Sequence, residues 1–181
     1  DAIGSSLLGL QYASEVIRQH LHEWLRFSLT LDTNEGTPLP VTNAEMVRQY
    51  GKYMWLDPTD EAGQQHSLNV IKDVVRRYDI DGVHLDDYFY PYPDHGNFPD
   101  QVSWNRYTAS GGKMERSSWR RENVNKLVRR LQGEIAKEKA WVTFGISPFG
   151  IWRPKFPPQI RGLDAYEGLY ADARLWLAKG W

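Results

Sequence analysis

The chain has 181 residues, enough for one domain with a sizeable core, and 41% hydrophobic with 25% charged residues is typical of a globular protein. Lysine and arginine number 22 against 23 aspartates and glutamates, so no overall field recruits nucleic acid or an anionic membrane. Cysteine is absent, which excludes disulfides and thiolate metal sites. No apolar run approaches membrane-spanning length, and we expect a single domain over residues 1–181.

The N-terminal part of the chain is predicted to hold a helix, a strand and a loop. Apolar residues recur at helical spacing in residues 5–24. Apolar and polar residues then alternate in residues 25–31, and turn residues fill residues 32–42. The sequence therefore predicts these three elements in that order.

A short apolar run, Tyr53–Leu56, is followed by a clear helical pattern over residues 59–78. Thr59 and Asp60 offer side-chain oxygens for the first turn of that helix. The residues that share its apolar face are Leu68, Ile71, Val74, Val75 and Tyr78.

A predicted strand with two carboxylates at its end is the most informative stretch of the chain. Val83 and Leu85 alternate with His84 and Asp86, and a period of two places each pair on one face of a strand. If the apolar pair packs under helices, His84 and Asp86 point to the opposite side, and Asp87 falls where the strand ends. Two adjacent acids there are costly to desolvate unless they are hydrogen-bonded or functional. A turn or capping role is the alternative, although the run of aromatic residues that follows is unusual for a turn.

Prolines and glycines predict a long loop after this strand, reaching to about Glu115. Ser117 or Ser118 is the expected cap of the next helix, predicted over residues 118–137, because apolar residues share one of its faces. Such a helix is expected to cover a sheet.

Residues 141–146 are the next predicted strand, with apolar and small polar residues alternating in the same phase as before. A second loop rich in proline and aromatic residues and a last helix over residues 166–178 follow. Repetition of strand, long loop and helix is typical of a parallel α/β architecture, whose ligands gather at the carboxyl ends of the strands. A complete (β/α)8 barrel needs about 250 residues, so this chain is expected to supply part of one.

Four blocks occur in a defined order: DGVHLDDYFYPYP, WRRENVNKLVRRL, FGISPFGIWR and YEGLYADARLWLAKGW. Together they resemble the glycosyl hydrolase-like 10 family of bacterial glycosidases, from about Trp55 to the last residue. The resemblance implies a TIM-barrel fold of which this chain is a middle section, with the first block as the fourth strand and the third block as the fifth. It also implies an extracellular, periplasmic or lipid-anchored location in the cell envelope.

The resemblance implies a glycosidase that acts on a bacterial cell-wall or exopolysaccharide glycan, with an oligosaccharide or polysaccharide as its partner and no cofactor. Glycoside hydrolysis usually needs one protonated and one ionised carboxyl group. Asp86 is the candidate for the ionised group. Asp87 is a second acid, a group that positions a substrate N-acetyl group, or a structural part of the loop. The acid is Asp87, Glu167, Asp164 or a residue beyond Trp181, because no glutamate follows the fifth strand.

Polar and aromatic residues at the two strand ends are candidates for sugar binding, since they suit the C–H faces and hydroxyls of sugars. Packing within the loops is the alternative role for the aromatic ones. The candidates are His84, Tyr88, Tyr90, Ser147, Trp152 and Arg153.

Two other functions compete with carboxylate catalysis. His84, Asp86 and His95 would be the ligands of a metal-dependent hydrolase or deacetylase, although their spacing matches none of the usual helical metal motifs. A non-catalytic glycan-binding domain would keep the aromatic loops without turnover. A zinc requirement distinguishes the first alternative, and sugar binding without turnover distinguishes the second.

Overall fold

The computed structural model describes residues 46–181, so the helix, strand and loop predicted for residues 5–42 lie outside the described part of the chain. The described part consists of short strands and helices in mixed order. In chain order they are β1 (Val47–Tyr50), β2 (Tyr53–Leu56), α1 (Glu61–Arg77), β3 (Gly82–Leu85), a turn of 3-10 helix (Pro93–His95), α2 (Gln101–Ala109), α3 (Arg116–Glu138), β4 (Thr143–Ile146), α4 (Ala165–Gly168) and α5 (Ala173–Lys179).

Strands β3 and β4 form the parallel pair that the alternating patterns predicted. Val83 pairs with Phe144 and Leu85 with Ile146, so the apolar residues of both strands lie on the same side. The backbone N–H of Ser147 donates to Leu85 O at 2.8 Å, which extends the pairing by one residue. The α/β class with a parallel sheet is therefore confirmed.

Helices α1 and α3 pack against each other and flank this pair, as predicted. Leu85 is fully buried and Val83 is 7% exposed, because their side of the sheet is covered by apolar helix faces. No helix within residues 46–181 combines the length and the apolar character needed to cross a bilayer. The apolar residues from the two helices are Leu68, Ile71, Val75, Val124, Leu127, Val128, Leu131 and Ile135.

Ion pairs join α1 and α3 at their solvent edge. Lys72 Nζ lies 2.6 Å from Glu134 Oε2 and 3.1 Å from Glu138 Oε1. Arg76 Nε lies 2.5 Å from Glu138 Oε2. Hydrogen bonds from Lys137 and Lys72 lower the pKa of Glu134 to about 2, and those from Arg76 and Lys72 lower that of Glu138 to about 2. These side chains therefore bind the helices together most strongly when both glutamates are ionised.

Strand β2 coincides with the short apolar run Tyr53–Leu56, which was not assigned to a strand, and its partner β1 was not foreseen. The two strands form an antiparallel hairpin in which Tyr50 pairs with Tyr53. Gly51 occupies the first of the two turn positions with φ of 58°, a conformation that favours glycine in such turns. A Cβ on Gly51 would also lie 2.4 Å from the His95 ring, so the hairpin turn packs closely against the loop after β3.

Helix α1 begins after Asp60, whose Oδ1 accepts from Gly63 N at 3.0 Å, as a predicted capping residue should. The predicted cap of α3 is wrong, because this helix begins at Arg116 and Glu115 precedes it without a side-chain capping bond. Its first two turns are held instead by Arg116 and Arg120, which both contact the buried carboxylate of Asp100.

Two further predictions of local structure are wrong. The loop expected to reach Glu115 contains helix α2 (Gln101–Ala109), and Ser103 is the buried residue of this helix. The last predicted helix is two helices, α4 and α5, because Tyr170 between them has φ of 56°. Asp172 then starts α5 by accepting from Leu175 N. Helices this short span too few residues for an apolar period to be recognised.

Candidate active site

The carboxyl ends of β3 and β4 bring His84 and Ser147 together. His84 Nε2 lies 2.8 Å from Ser147 Oγ, within hydrogen-bond distance. Gly145 faces His84 across the pair, and a Cβ there would come within 3.2 Å of His84 Nδ1. The glycine thus gives the imidazole its space on the face that the helices do not cover.

Asp86 follows β3 on the same face as His84 and is half-buried, while Val83 and Leu85 are buried. The phase predicted from the sequence is therefore confirmed. Asp86 Oδ1 accepts from Asp87 N at 3.0 Å, which fixes the orientation of this carboxylate relative to the turn. A partly solvated carboxylate at a strand end is available to a ligand without a large desolvation cost.

Asp87 is in a different environment, with 7% of its surface exposed. The Tyr92 hydroxyl donates to Asp87 Oδ2 at 2.6 Å. Burial, followed by this hydrogen bond and the charge of Asp87, raises the pKa of Tyr92 above its ordinary value. Tyr92 therefore keeps its proton at neutral pH and acts as a donor, and Asp87 serves as its acceptor.

Aromatic rings border this acid pair. Tyr88 is half-buried and packs edge-on against Tyr92, with ring centroids 5.5 Å apart. Phe149, from the loop after β4, also packs edge-on against Tyr92, with ring centroids 6.2 Å apart. Burial and the charges of Asp87 and Asp86 raise the pKa of Tyr88 as well. Both phenols are thus neutral neighbours of the carboxylates.

Tyr90, another candidate for sugar binding, has different surroundings from Tyr88, and its predicted role stays a prediction. It is 1% exposed, and its ring packs between Phe98 and Tyr170 at centroid distances of 5.2 and 4.6 Å. The chain turns at residues 87–90, so the alternation of the strand does not continue beyond Asp86.

Trp152 and Arg153 make their polar contacts with the segment 164–174. Trp152 Nε1 lies 3.3 Å from Asp172 Oδ1, and Arg153 Nε lies 3.4 Å from Asp164 Oδ2. Within residues 46–181, no hydrogen bond or ion pair joins either residue to His84 or Asp86. Their role in sugar binding stays a prediction.

The two alternative acids, Asp164 and Glu167, have structural partners. Asp164 Oδ1 accepts from Glu167 N at 3.0 Å and so caps α4. Glu167 lies 3.0 Å from Arg121 Nη2 and 3.7 Å from Arg153 Nη2. Carboxylates held by guanidinium groups are suited to accepting hydrogen bonds, whereas a general acid has to donate a proton.

His95, the third ligand of the metal hypothesis, packs its ring against Tyr50 at a centroid distance of 5.6 Å. Its backbone N–H donates to the Tyr50 hydroxyl at 3.1 Å. Among residues 46–181, no three or more His, Cys, Asp or Glu side chains are grouped so as to hold a metal ion. The metal hypothesis thus has no ligand set in the described part of the chain.

Two buried acids that support the site were not identified from the sequence. Asp57 is 1% exposed and accepts hydrogen bonds from Thr59 Oγ1 at 2.6 Å and Ser103 Oγ at 2.7 Å. Arg48 Nη2 lies 3.3 Å from it. The order Asp-Pro-Thr is typical of an Asx turn, and this pattern indicates the local contact with Thr59 but not the distant ones.

Asp100 is the second buried acid and anchors the loop after β3 to α3. Arg120 Nε and Nη2 bond to its two carboxylate oxygens at 2.6 and 2.7 Å. Burial lowers the pKa of Arg120, but the hydrogen bonds and charge of Asp100 outweigh it, so the pKa lies above the ordinary value. Arg120 also donates to the Tyr170 hydroxyl at 2.6 Å and to Phe98 O at 3.1 Å.

Helices on one face of a parallel pair, and carboxylates and aromatic rings at its carboxyl end, define an α/β protein with an acidic site at the strand ends. The chain belongs to the Glycosyl hydrolase-like 10 family, whose model matches residues 17–181. The resemblance inferred from the four sequence blocks is therefore confirmed.

Several relatives carry the name glycosyl hydrolase. The chain is 41% identical over 142 residues to glycosyl hydrolase YngK of Bacillus subtilis (strain 168). The matched stretch covers 75% of this chain and 28% of YngK. It is 29% identical over 178 residues to glycosyl hydrolase DigH of Escherichia coli (strain K12), which covers 88% of this chain and 40% of the relative. DigH of Shigella flexneri matches to the same extent. The chain thus spans less than half the length of these curated relatives.

Proposed function

We propose that this chain contributes the central strands and part of the active site of a (β/α)8-barrel glycoside hydrolase. The enzyme would cleave O-glycosidic bonds in a bacterial cell-wall or exopolysaccharide glycan outside the cytoplasm, in the cell envelope. Family membership and the names of the relatives support the hydrolase class. The observation that carries the proposal is Asp86, a half-buried carboxylate at a strand end beside the His84–Ser147 pair.

In this proposal, Asp86 is the ionised carboxylate that acts at the reacting sugar carbon. Its position on the face opposite the helices gives it access to a ligand, and its bond from Asp87 N holds one oxygen in place. His84 and Ser147 lie on the same face and offer donors and acceptors to sugar hydroxyls. The rings of Tyr88 and Tyr92 supply apolar surface beside the carboxylates.

Asp87 is proposed to orient the site and not to donate the proton. Its Oδ2 already accepts from Tyr92, and only 7% of its surface is exposed, whereas Asp86 is half-buried. The carboxylate is thus suited to hold Tyr92 in place or to receive an N–H of a substrate N-acetyl group. The general acid then lies elsewhere in the complete barrel.

The test of the proposed function is turnover of defined oligosaccharides by the complete gene product with Asp86→Asn. The substitution preserves the shape of the side chain and removes its charge, so turnover should fall by several powers of ten, on the order of 10²–10⁴. Sugar affinity should change little. Asp81→Asn is the matched control, because Asp81 is an exposed acid at the other end of the same strand and should leave turnover unchanged. Equal turnover of the two variants would refute catalysis by Asp86.

The role of Asp87 is tested with Asp87→Asn on substrates of different leaving-group quality. If Asp87 were the acid, substrates whose leaving groups need no protonation would be spared. We expect instead a similar loss for good and poor leaving groups. A larger loss for N-acetylated sugars than for sugars without that group would assign Asp87 to N-acetyl positioning.

A further inference from the structure

A pocket of about 190 Å³ lies among the loop after β3, the hairpin, the start of α3 and helix α4. Neither Asp86 nor His84 nor Ser147 lines it, so it is separate from the candidate active site. Its volume is below the roughly 300–1,000 Å³ typical of pockets for drug-sized ligands. A ligand enclosed there would therefore be about the size of one sugar ring.

Aromatic side chains form much of the pocket wall. Tyr50, Tyr90, Phe98 and Tyr170 all line it, and two prolines contribute further apolar surface. Rings of this kind pack well against the C–H faces of a sugar. The wall therefore favours a ligand with one apolar and one hydroxylated side.

The charged residues of the lining are neutralised within the protein. Arg120 is paired with Asp100 through two hydrogen bonds, and Glu167 lies 3.0 Å from Arg121 Nη2. The lining itself carries one positive and one negative side chain, and both are engaged in ion pairs within the protein. A neutral ligand fits this lining better than an acidic sugar or a phosphate.

Two hydroxyl groups of the lining residues have spare hydrogen-bonding capacity. The Tyr90 hydroxyl is buried and has no hydrogen-bond partner within residues 46–181. The Tyr170 hydroxyl accepts from Arg120 Nη1, which leaves its own O–H to donate. Buried polar atoms without a partner are uncommon in native proteins, and a bound hydroxylated ligand would supply one.

We propose that this pocket is an accessory subsite for one neutral sugar unit of the glycan, an inference that rests on the proposed glycosidase function. The loop after β3 connects it with the acid pair. The Tyr92 hydroxyl donates to Asp87, and the Tyr92 carbonyl accepts from Tyr50, a residue of the pocket wall. A sugar held in the pocket thus contacts the segment that orients Asp87.

The test is calorimetric titration of the full chain with D-glucose and with N-acetyl-D-glucosamine, comparing the wild type with Tyr90→Phe. The Tyr90 hydroxyl has no partner in the described part of the protein. Its loss should therefore leave the unfolding temperature of the sugar-free chain unchanged or slightly raised. The dissociation constant for the better of the two sugars should rise roughly 3- to 10-fold. Tyr53→Phe, which removes a phenol oxygen outside the pocket, should leave binding unchanged.

A second variant covers the case in which Tyr90→Phe does not fold. Asn97 is an exposed lining residue whose side chain makes no hydrogen bond within residues 46–181, so Asn97→Trp should fill the pocket and abolish sugar binding. Unchanged binding in Asn97→Trp would overturn the subsite. Absence of binding by the wild type would also overturn it, as would tighter binding of glucuronic acid than of glucose.

Turnover measurements separate the failure of this inference from the failure of the proposed function. If Asp86→Asn abolishes hydrolysis while Asn97→Trp alters neither sugar binding nor KM, the subsite is wrong and the enzyme assignment stands. If the protein binds a monosaccharide in a Tyr90-dependent way but hydrolyses no glycan, the enzyme assignment is wrong and the pocket stands as a sugar site. With both correct, Asn97→Trp should raise KM for long substrates with little change in kcat.

Discussion

The two faces of the β3–β4 pair differ in what surrounds them. On the face toward α1 and α3, Val83 and Leu85 are buried in a continuous apolar core. On the opposite face, His84 and Asp86 are half-buried, and Ser147 is exposed. Consecutive residues of one strand therefore have separate tasks, because alternate side chains point to opposite sides. Substitutions on the first face should change stability, and those on the second should change chemistry.

The largest effect on stability is expected from Leu85→Ala. Leu85 is fully buried between the sheet and the helices, so its truncation should lower the free energy of unfolding by about 2–5 kcal/mol. Chemical denaturation of the full chain measures this change. His84→Ala, the adjacent residue on the other face, should cost about 1 kcal/mol or less, since it loses one partly solvated hydrogen bond. Equal costs for the two variants would show that the faces do not differ as described.

An intermediate effect on the free energy of unfolding is expected from Tyr92→Phe. This variant tests whether a hydrogen bond beside the polar face also stabilises the fold. The substitution leaves the buried Asp87 carboxylate without its phenol donor and should cost about 1.5–3 kcal/mol, the usual range for a hydrogen bond to a charged group. Tyr88→Phe is the matched control, because no hydrogen bond of the Tyr88 hydroxyl exists within residues 46–181. It should alter the free energy of unfolding by no more than about 0.5 kcal/mol. If Tyr92→Phe left the free energy of unfolding unchanged, the Asp87–Tyr92 hydrogen bond would not stabilise the site.

The smallest effect concerns the solvent edge of the helix-covered face and appears at low pH. Glu134 and Glu138 have pKa values of about 2 in the folded chain, against about 4.3 for glutamate in an unfolded chain. A lowered folded pKa means that the unfolded chain takes up protons first as the pH falls. The stabilisation from these ion pairs should therefore be complete above about pH 4.3 and disappear towards pH 2.

Thermal unfolding between pH 6 and pH 2 measures this dependence. The double variant Glu134→Gln/Glu138→Gln should show a flatter profile in that window, and high salt should reduce the difference because the pairs are solvent-accessible. A variant profile parallel to that of the wild type would show that other acids control the loss of stability.

The elements with strong periodicity could be predicted from the sequence, and those without it could not. Helix α1 and strand β3 have apolar residues at regular spacing, and both were located to within a few residues. Helix α2 buries no apolar residue, its buried residue being Ser103, and it is held by long-range contacts such as the bond from Ser103 to Asp57. Such contacts join residues far apart in the sequence, so local patterns do not reveal them.

The candidate site divides in the same way. The phase of His84 and Asp86 followed from the alternation in β3, and their shared face was predicted correctly. The burial of Tyr90 was not predicted, because the chain turns at residues 87–90 and a local pattern does not show where a strand ends. The partner of Asp87 was also not identified. Tyr92 was noted among the aromatic residues, but its hydrogen bond depends on the conformation of that turn.

Tyr50 holds the loop after β3 through atoms of the loop's backbone. Its hydroxyl oxygen lies 3.1 and 2.8 Å from Tyr92 O and Gly96 O, which share its single proton, and it accepts from His95 N at 3.1 Å. All three partners are backbone atoms, which every amino acid except proline supplies in full. The side chains of Asp94 and Asn97 are therefore open to diversification, and a library at these two positions would alter recognition on a preserved backbone.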